Sequence, residues 1–413
     1  MASLSPHLKQ ATPVTVDHAL GSHIYDVEGR KHLDFTAGIG VVSTGHCHPR
    51  VVAAAQEQTG ALIHGQYTTV QHRPLLELTE RLSQILPEHL DSLFFANSGS
   101  EAIEAALRLT RQATGRPNIV VFHGGFHGRT VAAASMTTSG TRFSAGFSPL
   151  MPGVHIAPFP TAYRYGWSEE EATDFALQEL DYLFATITSP SEVAAFVVEP
   201  VLGEGGYIPG NARFFAGLRE RADRHGILLV MDEIQTGFGR TGKYFGHQHF
   251  GVTADVITFA KGIASGFPLS GIAASEALMS QAWPGSQGGT YGANAVACAA
   301  AVATIDVIAE EELVENAAQR GAELLAGATA RAVDGIGDVR GLGLMVGSEF
   351  TAADGSPDTA RAQAAQQEAA HRGLLLLTCG AHMNVVRMIP PLVITAEEID
   401  AGLNIWSDVL AAV

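Results

Sequence analysis

ILLVMDEIQTGFGRTGKYFGHQHFGVTADVITFAKG, residues 227–262, is the stretch on which the fold turns. Its apolar opening, Ile227 to Met231, has the length and branching of a buried parallel strand and stops on two acids, Asp232 and Glu233. A second such run, Asp255 to Ala260, stops on Lys261-Gly262. Side by side in one sheet, the two runs put an acid and an amine in the crevice at the carboxyl ends of the strands, where open α/β sheets bind ligands. A lysine against apolar walls there can lose its proton and act as a nucleophile, while Asp232 holds a positive charge. Pyridoxal phosphate asks for both groups, an amine for a Schiff base and a carboxylate for a protonated ring nitrogen. On this stretch alone, a structural Asp232–Lys261 ion pair is the competing reading. The embedded Gly237-Phe238-Gly239-Arg240-Thr241-Gly242 matches GxGxxG, but five residues separate it from its strand and no helix start follows it, which disfavours a dinucleotide site.

Working outward, Ala194 to Val198 is another continuous apolar strand, ending on Glu199-Pro200 ahead of Gly203-Glu204-Gly205-Gly206, and Phe214 to His225 is an amphipathic helix closed by Gly226. Ile119 to Phe122 leads into Gly124-Gly125-Phe126-His127-Gly128-Arg129-Thr130, offering Phe126 as a stacking platform and Arg129 as a carboxylate fork. A core phenylalanine and a surface ion pair are the plain alternatives. Ser92 to Ala96 delivers Asn97-Ser98-Gly99-Ser100-Glu101 to a helix from Ala102 to Thr110, the pattern either of a phosphate cradle or of an ordinary serine cap. Strand and helix alternation with continuous apolar strands predicts a mainly parallel sheet.

Further out, Ile24 to Phe35 alternates as a hairpin around Glu28-Gly29, Arg50 to about Leu86 reads as helical, and Pro149 to Glu171 reads as an irregular excursion. His46-Cys47-His48 invites a zinc reading, but a structural site needs about four ligands and no second cluster accompanies it, so a turn before a helix near Pro49 is expected, with no metal. An Ala-rich helix from Asn294 to about Ala309 marks a boundary, after which acidic helices and short strands read as a smaller α+β domain. Within that domain Arg387 is exposed, paired with an acid, or a substrate fork, because a lone buried cation is costly.

The sequence has 413 residues, 46% of them apolar, and 42 acids against 25 bases give a formal charge of −17. That balance disfavours a nucleic-acid or anionic-membrane surface. Cys47, Cys298 and Cys379 form no CxxC, which fits a reducing cytoplasm, and neither an apolar signal region nor a membrane-length run is seen, so a soluble, intracellular protein is expected.

In this order the motifs resemble the class III pyridoxal-phosphate aminotransferases, particularly the 4-aminobutyrate aminotransferase branch, over nearly the whole chain. The residues carrying the likeness are Gly38-Ile39-Gly40, Thr44-Gly45-His46, Asn97 to Ala102, Phe126 to Thr130, Glu199-Pro200-Val201, Gly203 to Gly206, Asp232-Glu233, Gln235-Thr236-Gly237, Gly239 to Gly242, Phe259 to Gly262, Gly289-Thr290-Tyr291 and Arg387. The resemblance implies an α/β fold of PLP fold type I: residues 1–48 packing with the small domain, a large cofactor-binding domain with a mainly parallel mixed sheet over 49–307, and a small α+β domain over 308–413. It implies Lys261 as Schiff-base lysine and proton carrier, Asp232 on the ring nitrogen, Gln235 at the ring hydroxyl, Phe126 stacked on the ring, and His127 beside it. Ser98, Gly99 and Ser100 would hold the phosphate, joined by Thr290 from the other subunit of a homodimer, whether that dimer stands alone or pairs into a tetramer.

Substrate choice is assigned by the same likeness to Ile39, Arg129, Glu204 and Arg387. Arg129 takes the distal carboxylate of an ω-amino acid while Glu204 neutralises Arg387, and Arg387 leaves Glu204 when 2-oxoglutarate brings a second carboxylate. The expected reaction moves the amino group of 4-aminobutyrate or a related ω-amino acid to 2-oxoglutarate. Acetylornithine, ornithine or amine:pyruvate transamination is the alternative, with isomerisation on the same scaffold or cofactor binding alone further behind. Leu202 departs from the family, which commonly has glutamine there, and so removes a polar group near Glu204.

Overall fold

In the computed structural model, which describes residues 2–413, the strand Leu228–Asp232 is the middle member of a seven-stranded sheet. Val256–Phe259 pairs parallel with it on one side, Val193–Val198 on the other, and Asn118–Phe122 and Val154–Ala157 extend that side. Beyond Val256–Phe259, the strand Ser270–Ala274 runs antiparallel to both its neighbours, the second being Ser92–Ala96. The sheet is therefore mixed, with one reversed strand in an otherwise parallel set.

These strands read as unbroken apolar runs because helices cover both faces. Val230, Val256, Ile119, Val121 and Val197 pack with Ala102, Ile103 and Leu109 of the helix Gly99–Thr114. Their alternate neighbours Leu229, Met231, Ile257, Phe122 and Phe196 pack with Phe214, Phe215 and Leu218 of the helix Ala212–His225. At roughly 1.5–3 kcal/mol for each large side chain buried, the double-sided core fixes strand register firmly. Asp232 follows Val230 by two residues, so it emerges on the face of the helix Gly99–Thr114.

The C-terminal third forms a four-stranded antiparallel sheet, ordered Ile336–Gly341, Val346–Phe350, Val385–Met388, Leu377–Cys379. Near the N-terminus, Val16–Leu20, His23–Asp26 and Lys31–Asp34 make a meander whose last strand pairs parallel with Leu374–Leu375. The expected hairpin is thus present, and it joins the chain's start to its final third.

Two expectations need correcting. The Arg50–Leu86 span is two helices, Pro49–Ala61 and Arg73–Ile85, separated by residues 62–72. Gly65 weakens helix there, and His72 followed by Pro74 starts the second helix with a side-chain cap on the Leu75 N–H. The Pro149–Glu171 excursion contains the edge strand Val154–Ala157, and its end opens the helix Glu169–Thr186 with a Ser168–Glu171 capping box. Four residues beside Pro and Gly gave too short a period to stand out. Among the described residues no helix is long and apolar enough to cross a membrane.

Candidate active site

Register brings the two ends of the opening stretch together. Asp232 sits opposite Thr258 across the parallel pair, and Lys261 lies just past the end of that second strand. Asp232 is buried and held from three directions: Thr258 Oγ1 donates to Oδ1 at 3.2 Å, the Ile234 N–H to Oδ1 at 3.1 Å, and His127 Nδ1 lies 2.8 Å from Oδ2. Burial opposes a charge on His127, but Asp232 outweighs it and raises the imidazole above its usual range. No ion pair joins Asp232 to Lys261 among the described residues, so the plain ion-pair reading fails.

Lys261 has φ +48°, a left-handed conformation that a non-glycine residue holds only under constraint. Its amine faces a cavity of about 410 Å³. Burial lowers its pKa below the ordinary lysine value, although Glu204, Glu199 and Asp232 act in the opposite sense. The result is an amine more easily unprotonated than one in water.

Ser98, Gly99 and Ser100 line the same cavity at the start of the helix Gly99–Thr114. The capping reading is met, since Ser98 and Glu101 form a capping box, and the first helical N–H groups still lack intrahelical partners and present the positive end of the dipole. Ser100 Oγ accepts from the Arg129 N–H at 3.1 Å, which ties the cradle to the loop 124–130. A Cβ on Gly128 would lie 2.3 Å from Ser100 Oγ, so only glycine lets the loops approach. Phe126 lines the cavity and meets Phe143 edge-on with centroids 4.9 Å apart.

The third set of groups is cationic. Arg387 is buried, and its guanidinium pairs with the Glu204 carboxylate. Burial alone would raise the Glu204 pKa, but Arg387 reverses the sign and holds the carboxyl below its usual range. Arg129 also lines the cavity and has no carboxylate partner among the described residues. Its guanidinium lies 5.1 Å from the Phe143 ring centroid.

Of the residues expected at the site, Ser98, Gly99, Ser100, Phe126, His127, Arg129, Glu204, Asp232, Gln235 and Lys261 line one cavity, and Arg387 joins through Glu204. Ile39 lies outside that lining, half-exposed in the turn before Val41, which does line it. Thr290 is exposed on a loop and lines no part of its own chain's cavity. Thr258, Ile234 and Phe143 escaped sequence reading. Thr258 sits inside an apolar run whose only signal was a hydroxyl among branched residues.

Glu233, adjacent in sequence to Asp232, does a different job. Its buried carboxylate accepts the Gly246 and His247 N–H groups at 2.8 Å each, lies 2.8 Å from His247 Nδ1, and takes the Thr236 hydroxyl. Burial works against its charge, but these partners hold its pKa below 4.5. Glu233→Ala should therefore destabilise the protein by about 3 kcal/mol in urea unfolding at neutral pH. Because the folded pKa is depressed, the charge-linked part of that loss is complete above 4.5 and disappears as pH falls through the lowered value. A gap that widens on acidification would contradict this assignment.

The cavity fits pyridoxal phosphate on its own features. Among the described residues Gln235 Oε1 and His127 Nε2 are buried without a partner, a helix start offers free N–H groups, and an amine and an anchored carboxylate face the same space. Fold and site together define a fold type I PLP enzyme. The class III aminotransferase family model matches residues 4–410, and the chain belongs to that family. It is 39% identical to the 5-aminovalerate aminotransferase of Pseudomonas putida, covering 100% of this chain and 97% of that one. Against the 4-aminobutyrate aminotransferase of Escherichia coli it is 40% identical, covering 96% and 93% of the two chains. An amine transaminase from an uncultivated Pseudomonas species, solved in a PLP-bound form, superposes with TM-score 0.92 at 30% identity, over 100% of this chain and 97% of that one.

Proposed function

We propose that this transaminase moves the amino group of 4-aminobutyrate or a related ω-amino acid to 2-oxoglutarate. The observation supporting it most directly is the Glu204–Arg387 pair beside an unpaired Arg129. With Arg387 neutralised, Arg129 is the guanidinium on the cavity wall left to take a carboxylate, which suits a donor whose acid group is distant from its amine. The similarity to relatives named for 4-aminobutyrate and 5-aminovalerate points the same way.

When bound, the cofactor supplies the electron sink for the carbanion at the reacting carbon. Lys261, with its proton held loosely by burial, is assigned the covalent attachment and the transfer of a proton at the substrate carbon. Asp232, oriented by Thr258 and His127, is assigned to hold the ring nitrogen's proton, and Gln235 the ring hydroxyl. Phe126 covers the ring, and Ser98, Gly99 and Ser100 take the phosphate with Thr290 of the partner subunit in a homodimer. Ile39, although outside the lining of its own chain's cavity, is assigned to donor selection. We assign residues 49–307 and 308–413 as the large and small domains, with 1–48 on the latter, and a cytoplasmic location.

In the acceptor half-reaction, Arg387 releases Glu204 to take the α-carboxylate of 2-oxoglutarate while Arg129 keeps the distal one. Glu204→Ala should then lower kcat/KM for 4-aminobutyrate at least about tenfold more than for L-glutamate, because it strands a buried guanidinium only in the donor complex. Equal loss in both half-reactions would refute the exchange. Single-turnover loss of the cofactor's visible absorption with 4-aminobutyrate, 5-aminovalerate, β-alanine, acetylornithine, ornithine and 1-phenylethylamine tests the substrate class. Reaction with acetylornithine but not with 4-aminobutyrate would overturn it.

A further inference from the structure

The loop 203–207, which carries Glu204, lies against one face of the C-terminal sheet, and that face is built around a second arginine. Arg340 pairs in register with Gly347, and Gly347 pairs with Arg387. Residues directly opposite across antiparallel strands share a face, so the two arginines flank a glycine on the surface that meets the loop. A Cβ on Gly347 would lie 3.3 Å from Tyr207 Cβ and 3.0 Å from Val385 Cγ1, so the glycine lets the loop backbone settle between them.

Arg387 takes the Glu204 carboxylate. Arg340 takes the backbone two residues on: its Nε and Nη2 both donate to the Gly206 carbonyl, at 2.9 and 2.7 Å. Its remaining Nη1 lies 2.7 Å from both Asp338 Oδ2 and Glu349 Oε2, two carboxylates that face each other across the strands and would repel without it. Asn384 Nδ2 donates to Glu349 Oε1 at 3.2 Å, which fixes the acid in turn. On the other flank, the Gly380 N–H donates to the Glu204 carbonyl at 2.9 Å. The carbonyls of Glu204 and Gly206 are thus both held by the C-terminal third of the chain, one by a backbone N–H and the other by a side chain.

We infer that Arg340 is a positioning residue for substrate selection. By chelating the Gly206 carbonyl it holds the Glu204 loop on the sheet that carries Arg387, so that exchange of Glu204 for a substrate carboxylate is a side-chain movement over a fixed backbone. This rests on the Glu204–Arg387 exchange proposed above. The planar fork matters more than the charge, since a lysine ammonium cannot place two N–H groups on one carbonyl while bridging two acids.

Arg340→Met and Arg340→Lys holoenzymes, compared with Glu204→Ala in single-turnover kinetics, test it. In Arg340→Met, kcat/KM for 4-aminobutyrate should fall roughly tenfold relative to that for L-glutamate, mainly through KM, because the lost chelate frees the loop that neutralises Arg387. Arg340→Lys should recover only part of that ratio, and it stands in if the methionine variant does not fold. Adding Arg340→Met to Glu204→Ala should leave the ratio where Glu204→Ala alone puts it, since both changes act through one carboxylate. If Glu204→Ala shifts the ratio but neither Arg340 variant moves it beyond about twofold, or if the two losses add, the clamp is overturned and the exchange stands. If Glu204→Ala itself leaves the ratio unchanged, the exchange fails and takes the clamp with it.

Discussion

Lys261→Ala is expected to lower transamination by at least about four orders of magnitude while leaving the protein folded. The substitution removes the group assigned to both covalent attachment and proton transfer, and no other amine lines the cavity among the described residues. Folding should tolerate it. Among the described residues the lysine amine has no ion-pair partner, so its removal strands none. Lysine's folded pKa is depressed, so its charge burdens the folded state most at pH below that value, and the burden eases as pH rises toward the ordinary 10.5. Without cofactor, the variant's stability relative to the parent should therefore be higher near neutral pH than in alkali, as read by urea unfolding. Retention of more than about one per cent of activity would remove Lys261 from the chemistry.

Asp232→Asn should reduce activity by roughly a hundred- to a thousandfold, the effect of deleting one partner of a buried charge pair. Asparagine matches the shape and can keep the Thr258 and Ile234 contacts, but it cannot hold a proton on a ring nitrogen. The same change has a second readout. His127 is raised chiefly because Asp232, with Glu199 adding to it, outweighs the burial that would lower it, so in the variant the imidazole should titrate lower than in the parent. Nuclear magnetic resonance of the ring protons follows that shift directly. An unchanged His127 titration would mean that the histidine is not governed by Asp232, and unchanged activity would exclude the carboxylate from the reaction.

The two variants probe groups that lie 29 residues apart in the chain, one at the end of a strand and the other just past the end of its neighbour. Their neighbourhood was legible because a strand buried on both faces must be apolar along its whole length, so a charged residue at its end stands out. The same logic exposed Glu199 and the cradle at Ser98. It missed Thr258, which orients Asp232, because a threonine within a branched run is also what strand propensity favours. It also misread Val154–Ala157, since a four-residue edge strand between proline and glycine has too few periods to register.

Glu233 illustrates the limit more sharply. It neighbours Asp232 and carries the same charge, yet successive side chains of a strand point to opposite faces, so one carboxylate faces the cavity and the other meets His247.

What the sequence by itself determined is the family and which groups stand at the strand ends: Asp232, Lys261 and Ser98–Ser100 follow from residue type, position and order, all of which are properties of local segments. Only the tertiary structure decided which charges are free. Arg387 could have been exposed, paired or a fork, and its pairing with Glu204 comes from two segments 183 residues apart. Arg340 carried no signal at all, because its role depends on lying in register with Gly347 and Arg387 across three strands. Register between distant strands is set by the packing of the whole sheet, and no local pattern encodes it.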